Sequence, residues 1–461
     1  MVRIFRHYVN STMIAIACVE AMLLAAAVYL GAFMRFSDPS EFSANLVRHA
    51  PDAALFVGVL LPAMYGLGAY RPESLVDMRV ATLRLGVSFC IGFVLVGAVS
   101  YAIPTFELWR SALAIALPAG FFSVLAFRTA AGHVVSSAMF KRRVLVLGAG
   151  EKAARIARIG EGRQRGFVCL GFVRNRGEDF PGGANDIVGS VDELGAIARR
   201  ANVDEVVVAV EERRRRLPVD QLLDLRLAGI GVLDFSSFWE RELGRIDLDT
   251  VYPSWFIFSD GFYDQYATRA VKRAFDIVVG AAVLIATAPL LAITAIAIKL
   301  DSPGPVFYRQ ERVGLHGRPF MLLKFRSMAA DAEKDSIPRW ARTGDTRVTR
   351  VGRFIRMTRI DEIPQAINVL KGEMSLIGPR PERPFFVQEL ARQIPYYGER
   401  HRTKPGITGW AQINFPYGAS VEDAKKKLEF DLYYIKNHSL FLDALILLET
   451  ARVVLWREGA R

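Results

Sequence analysis

With 461 residues the chain can hold two or three domains, and a composition of 52% hydrophobic and 23% charged residues is too apolar for an ordinary soluble protein. The net charge of +12, from 59 basic and 47 acidic residues, suits anionic lipid headgroups or phosphorylated substrates as well as nucleic acid and does not choose among them. Cys18, Cys90 and Cys169 lie far apart, the first two inside apolar runs, so neither a disulfide framework nor a cysteine metal cluster is indicated.

In chain order, four apolar stretches match the thickness of a bilayer: about Thr12 to Phe36, Ala53 to Tyr70, Thr82 to Ile103 and Trp109 to Gly132, the second being the shortest. Residues 1–140 therefore read as a bundle of four transmembrane helices. The first run continues through Val28, Tyr29 and Leu30 with no small-residue cleavage site, so it is expected to remain as an anchor. Arg3, Arg6, Arg71, Arg79, Arg84 and Lys141 to Arg143 crowd one side of the runs, whereas Arg35, Arg48 and Arg110 on the other side are mixed with acids. The positive-inside rule then puts the N-terminus and everything after Lys141 in the cytosol. Glu20 lies within the first run, and an intramembrane acid is by default a functional candidate. With no partner cation evident in the runs, it is expected to be structural, satisfied by a hydroxyl or a water.

Residues 141–262 read as a Rossmann-like α/β domain. Val144 to Leu147 is a buried strand, Gly148-Ala149-Gly150 a tight turn, and the residues that follow a helix N-terminus, the geometry that can seat a pyrophosphate. Strands over Phe167 to Val173, Glu205 to Val210 and Gly231 to Phe235 alternate with helices over Val191 to Ala201 and Val219 to Ala228, which predicts a parallel sheet. The second strand ends in Arg174 and Asn175, without the acid that would bind a ribose hydroxyl, so a structural or regulatory module is favoured over a dinucleotide site. The run Arg213 to Arg216 reads as a solvated face, and no nucleic-acid partner is called for.

Residues 268–461 form the third region. Ile277 to Ile298 is apolar enough to cross a bilayer, but Pro289 interrupts it, and a kink is expected there. Either a fifth span or a re-entrant helix over about 271–300 is allowed by the pattern. Residues 299–461 carry 28 lysines and arginines against 19 acids, a net +9, and belong with the phosphate chemistry in the cytosol, which favours re-entry. A turn-rich exit at Asp301 to Pro305, cations at Gln310 to Gly314 and Lys324 to Met328, and a basic helix over Arg347 to Thr358 follow. At Asp361 and Glu362 two adjacent carboxylates stand among Arg356, Arg359 and Arg380, and Pro364, Gln365, Asn368 and Gly378-Pro379-Arg380-Pro381 come next. Such a pair can hold a divalent cation and present a nucleophile while guanidinium groups receive a polyanion, although acids also simply favour helix N-termini. Lys404 to Asn414 is a glycine-punctuated loop whose Trp410 and Gln412 could read a base or a sugar. Phe430 to Trp456 is expected to lie on the membrane or to pack beneath the hairpin.

From about Ala270 to Trp456 these motifs, in this order, resemble the bacterial sugar transferase family, the monotopic polyprenyl-phosphate phosphoglycosyl transferases. The whole chain resembles the long form, with four transmembrane helices and a CoA-binding-like domain before a mostly α catalytic domain with a re-entrant membrane helix. Asn414-Phe415-Pro416-Tyr417-Gly418 is most similar to members from exosortase-associated exopolysaccharide systems. The resemblance implies transfer of a sugar phosphate from a UDP-sugar to undecaprenyl phosphate at the bacterial inner membrane, releasing UMP. It further implies Asp361 as nucleophile, Glu362 with Asp361 on Mg²⁺, Lys324, Arg326, Arg359 and Arg380 on phosphate, and Pro379, Pro381 and Gln412 in the substrate loop. It leaves a homodimer open. Two rivals remain at this point: a membrane-bound NAD-dependent nucleotide-sugar epimerase or dehydratase, for which Gly148 to Gly150 is the sole support, and a nucleotide-sensing scaffold.

Overall fold

The structure is a computed structural model that describes residues 2–4, 7–9, 11–35, 47–71, 74, 78–103, 106, 110–135, 141–160, 166–175, 186–211, 217–262, 266–329, 347–415, 418 and 420–456. After a short antiparallel pair, β1 (Val2–Ile4) and β2 (His7–Val9), four apolar helices pack together: α1 (Ser11–Arg35), α2 (Ala50–Gly66), α3 (Met78–Ala102) and α4 (Arg110–Val135). Leu24, Phe56, Leu60, Met64 and Leu85 are fully buried between them. Small residues let the helices approach: a Cβ on Gly31 of α1 would stand 2.5 Å from the Ala112 carbonyl oxygen of α4, and one on Gly92 of α3 would stand 2.3 Å from the Leu60 side chain of α2. Helices α1, α3 and α4 are long and apolar enough to span a bilayer. The second expected span is a 17-residue helix with Pro62 inside, whose rise of roughly 26 Å falls a little short of a hydrocarbon core of about 30 Å.

The expectation that Glu20 lacks a cation is corrected by α4. Arg128 donates through Nε to Glu20 Oε1 (2.6 Å) and through Nη2 to Oε2 (3.0 Å), while Tyr70 donates its hydroxyl to the same carboxylate. Arg128 sat inside the fourth apolar run, and its charge was legible; that it shares a face with Glu20 was not. The pair is buried on both sides, so removing one partner leaves an uncompensated charge in an apolar bundle. Arg128→Ala is expected to destabilise the protein by about 3 kcal/mol, measurable as a lower unfolding temperature in detergent.

The middle region is a five-stranded, all-parallel sheet of β3 (Arg142–Leu147), β4 (Phe167–Arg174), β5 (Ile187–Ser190), β6 (Glu205–Val208) and β7 (Gly231–Asp234), in the order β5-β4-β3-β6-β7. Helices α5 (Glu151–Gly160), α6 (Leu194–Arg200), α7 (Val219–Leu227) and α8 (Phe235–Leu243) cover it. Strand side chains alternate: Leu145 and Leu147 join one core cluster, Val144 and Val146 the other, which is why β3 is apolar at every inner position. The expected strands and helices are present within a few residues, and β5 and α8 are additions. Where a pyrophosphate would sit, the α5 N-terminus meets an acid of the chain itself. Lys152 N donates to Glu211 Oε1 (2.8 Å), and a Cβ on Gly150 would stand 2.6 Å from the Glu211 side chain. Residues 213–216 lie outside the described residues.

The C-terminal region follows the short α9 (Pro253–Phe258). Its elements are α10 (Tyr266–Asp301), the hairpin β8 (Phe307–Val313) and β9 (Pro319–Phe325), α11 (Arg350–Met357), a 3-10 turn Ile360–Glu362, and α12 (Gln365–Lys371). Then come β10 (Ser375–Ile377), α13 (Pro384–Gln393), β11 (Gly406–Thr408), α14 (Trp410–Asn414), α15 (Val421–Asn437) and α16 (Leu440–Leu455). Helix α10 continues through Pro289 for 36 residues. Both of its flanks are tied to one folded unit. Lys272 bonds Asp443 (2.7 Å), Asp276 accepts from Ser375 Oγ and Leu376 N (3.0 Å each), and Asp301 accepts from Val351 N (3.0 Å). Between them the apolar side chains Val283, Ile285, Leu290, Ile293 and Ile296 are exposed.

Two expectations about this region change. The cations at 310–314 and 324 stand largely on a β-hairpin, Tyr308 paired with Lys324, inside a domain that the resemblance implied to be mostly α. The last stretch is two helices broken at His438, with Ser439 capping α16 through a bond from Leu442 N (3.2 Å). Helix α16 does not lie loose on a surface: Leu442 and Ile446 are fully buried, Arg71 bonds Glu449 (2.8 Å), and a Cβ on Gly66 of α2 would stand 2.9 Å from the Leu448 carbonyl oxygen.

Candidate active site

The acidic pair occupies the 3-10 turn after α11, where Arg359 takes a left-handed backbone (φ 59°) that turns the chain sharply inward. Both carboxylates are buried there, and they are not equivalent. Glu362 Oε1 receives Lys324 Nζ of β9 (3.0 Å) and Arg380 Nη2 (2.9 Å), with Arg359 Nη1 at 3.9 Å. Asp361 Oδ1 is buried and makes no hydrogen bond among the described residues. The electrostatics follow from this difference. Burial and the neighbouring Glu362 push the Asp361 carboxyl up to about 6. Burial works the same way on Glu362, but the Arg380 and Lys324 charges overcome it and hold that carboxyl well below the usual range. Burial lowers the Lys324 ammonium, against the pull of Glu362.

Arg380 reaches the pair because the backbone around it is fixed. Four consecutive carbonyls accept bonds from elsewhere: Pro379 from Gly406 N (2.9 Å), Arg380 from Arg400 Nη2 (2.9 Å), Pro381 from Arg312 Nη1 (2.9 Å) and Glu382 from Val313 N (2.9 Å). Prolines suit a segment whose amides are not needed. The Arg380 guanidinium then forks, Nη2 to Glu362 and Nη1 to Gln412 Oε1 (3.0 Å). That bond fixes the amide oxygen on Arg380, and Gln412 Nε2 is buried and without a partner among the described residues.

The family model described as bacterial sugar transferase matches residues 267–457. A UDP-glucose:undecaprenyl-phosphate glucose-1-phosphate transferase of Escherichia coli K12 is 36% identical over 70% of this chain and 70% of its own length. The chain belongs to the bacterial sugar transferase family. A UDP-N-acetylgalactosamine-undecaprenyl-phosphate N-acetylgalactosaminephosphotransferase of Aeromonas hydrophila is 45% identical over 51% of this chain, and the match spans 55% of that relative. An undecaprenyl-phosphate glucose phosphotransferase of Komagataeibacter xylinus is 38% identical over 69% of this chain and 60% of its own length.

Within this sugar transferase, Asp361, Glu362, Lys324, Arg380 and Gln412 converge, and Arg359 borders them with its side chain partly exposed. Arg326 does not join them. Its guanidinium donates to the Pro303 carbonyl (2.6 Å) and to the Ser302 carbonyl and hydroxyl (2.7 and 3.0 Å), so it fixes the loop leaving α10 rather than facing the pair. Asn368, open between a site and a structural role, clamps β9: its Oδ1 accepts from Leu323 N (3.0 Å) and its Nδ2 donates to the Met321 carbonyl (2.8 Å). Pro379 and Pro381 contribute backbone. Arg312, read from sequence as a cation near the membrane exit, and Arg400, which was not singled out, hold the Arg380 segment. Arg400 is buried against Asp431 (2.9 Å) and Tyr397 (2.8 Å), and no local signal separates it from surface arginines nearby. In the loop Phe415 to Gly418, residues 416 and 417 lie outside the described residues.

Proposed function

We propose that the protein transfers a sugar 1-phosphate from a UDP-sugar to undecaprenyl phosphate, releasing UMP, as the first step in building an exopolysaccharide unit on lipid. One observation carries the residue assignment: a buried Asp361 carboxylate with an unpartnered oxygen, next to a Glu362 whose Oε1 receives both Lys324 and Arg380. Asp361 Oδ attacks the β-phosphorus of the donor, and the bond from that phosphorus to the bridging oxygen breaks, so that oxygen leaves with UMP. A phosphate oxygen of the lipid then attacks the same phosphorus and the Asp361 carboxylate departs. Two steps spare the active site from holding two bulky polyanions in one transition state. Lys324, Arg359 and Arg380 oppose the phosphate charge, and Gln412 Nε2 offers a further donor to a substrate oxygen.

The pair also fits Mg²⁺, which commonly takes one or two carboxylates and completes its shell with phosphate oxygens and waters. Among the described residues no group of three or more metal-binding side chains forms a closed site, so Asp361 and Glu362 would hold the ion with the substrate. When bound it would neutralise phosphate charge.

The same reading places the active site at the cytosolic face of the bacterial inner membrane, with α10 entering and returning. Straight, the apolar part of α10 would separate its ends by the roughly 30 Å of a bilayer core. Both ends are bonded to one basic unit, which supports re-entry. The Rossmann-like middle domain acts as a structural module, its α5 N-terminus already held by Glu211. Incubating the enzyme with a UDP-sugar alone and analysing the intact chain by mass spectrometry tests the mechanism. A phosphosugar adduct on Asp361 is expected; UMP release across a panel of UDP-sugars with no adduct on any of them would remove the covalent step.

A further inference from the structure

Three parts of the chain meet on one side chain. Trp410 opens α14, two residues before Gln412, and its indole Nε1 donates to the Gly244 carbonyl (2.7 Å) where the middle domain ends. Gly244 closes α8 with a left-handed backbone (φ 61°), and a Cβ there would stand 3.0 Å from the Trp410 ring. The other face of the indole stacks on Tyr433 of α15, 5.7 Å away at 25°, and His7 of the N-terminal strand pair meets the ring edge-on at 5.3 Å. His7 Nδ1 also shares a 2.9 Å hydrogen bond with the Tyr433 hydroxyl. Helix α14 spans only Trp410–Asn414, too short to hold its own orientation in water, so its anchors set where Gln412 points. From Gln412 the chain of contacts runs to Arg380 and from Arg380 to Glu362.

We propose that Trp410 is a positioning residue through which the N-terminal strand pair and the middle domain hold Gln412, and with it Arg380, against Glu362. The inference rests on the transfer reaction proposed above and assigns the two upstream regions a part in it. With the anchor loosened, Gln412 no longer holds one arm of the Arg380 fork, and Arg380 spends less time on Glu362.

The test uses the full-length enzyme in lipid nanodiscs with two substitutions. Trp410→Phe keeps the stacked ring and removes the donor to Gly244; His7→Ala keeps the indole and removes the strand-pair contact, and His7→Phe restores an aromatic edge. Expected for Trp410→Phe is a fall in kcat of roughly tenfold with KM changed by less than about twofold, and faster amide exchange over residues 411–413. His7→Ala should shift kcat and exchange less, and His7→Phe should recover them. A lower unfolding temperature in both variants with unchanged kcat and exchange overturns the proposal, and if Trp410→Phe fails to fold the His7 pair decides it. Failure of the wild-type enzyme to release UMP would fault the transfer reaction instead, and the exchange measurement would still judge the positioning.

Discussion

Asp361→Asn is expected to abolish UMP release, by at least about 10³-fold, while raising the temperature at which the protein unfolds. Both halves come from the same burial. The amide keeps the shape of the side chain but is a far poorer nucleophile, and no other fully buried carboxylate oxygen at the turn lacks a partner among the described residues. The stability sign is less obvious. In the folded protein the Asp361 carboxyl lies near about 6, against an ordinary 3.8, so the folded state holds its proton more tightly than the unfolded chain does. Stability from this group is therefore fully present below the lower value and is lost as pH rises through the upper one. At neutral pH the ionised carboxylate works against folding by about 3 kcal/mol, and the uncharged amide removes that burden. Unfolding followed by intrinsic fluorescence at pH 7.5 should show an increase of a few degrees that shrinks toward pH 4. In the unmodified enzyme kcat/KM should climb with unit slope below about pH 6 and level off above it. Normal turnover in the variant would end the assignment of Asp361 as nucleophile; a drop in unfolding temperature would mean the carboxylate holds the turn together.

Arg380→Lys is expected to lower kcat by roughly 10²-fold despite conserving charge. The fork of Arg380 makes two bonds at once, to Glu362 and to Gln412, from a backbone whose four carbonyls are pinned. An ammonium is a single point on a flexible stem and can serve one of these partners, not both. The Glu362 carboxyl then rises toward its ordinary range, and the acid limb of the rate profile should broaden as it titrates beside Asp361. Arg380→Ala goes further, leaving Lys324 as the closest cation on Glu362. Steady-state UMP release between pH 5 and 8 measures all of this. A lysine variant within twofold of the parent would reduce Arg380 to a general source of positive field.

How much of this was readable beforehand depended on the kind of signal. Apolar length announced α1, α3, α4 and α10, and the alternation of buried strands with helices announced the parallel sheet, because both patterns repeat every few residues along the chain. The adjacency of Asp361 and Glu362 among arginines pointed to the site for the same reason: the residues are close in sequence. The hairpin under Lys324 was missed, since Gln310 to Gly314 carries charges on both faces and lacks a clean two-residue period. Arg326 was placed on substrate with Lys324, two residues earlier, and a continued strand would indeed put both on one face; β9 ends at Phe325, however, and Arg326 turns to Ser302 and Pro303 while Lys324 faces Glu362.

Sequence alone determined that this is a membrane protein with a basic region built around a carboxylate pair, because hydropathy and local charge are sums over neighbouring residues. Tertiary structure alone decided which carboxylate is neutralised, which arginine crosses to it, that Arg128 answers Glu20, and that His7 and Gly244 bear on the helix carrying Gln412. Those outcomes turn on contacts a few ångströms long between residues far apart in the chain. A single missing hydrogen bond on one buried oxygen is what separates Asp361 from Glu362, and no pattern of residue types records it.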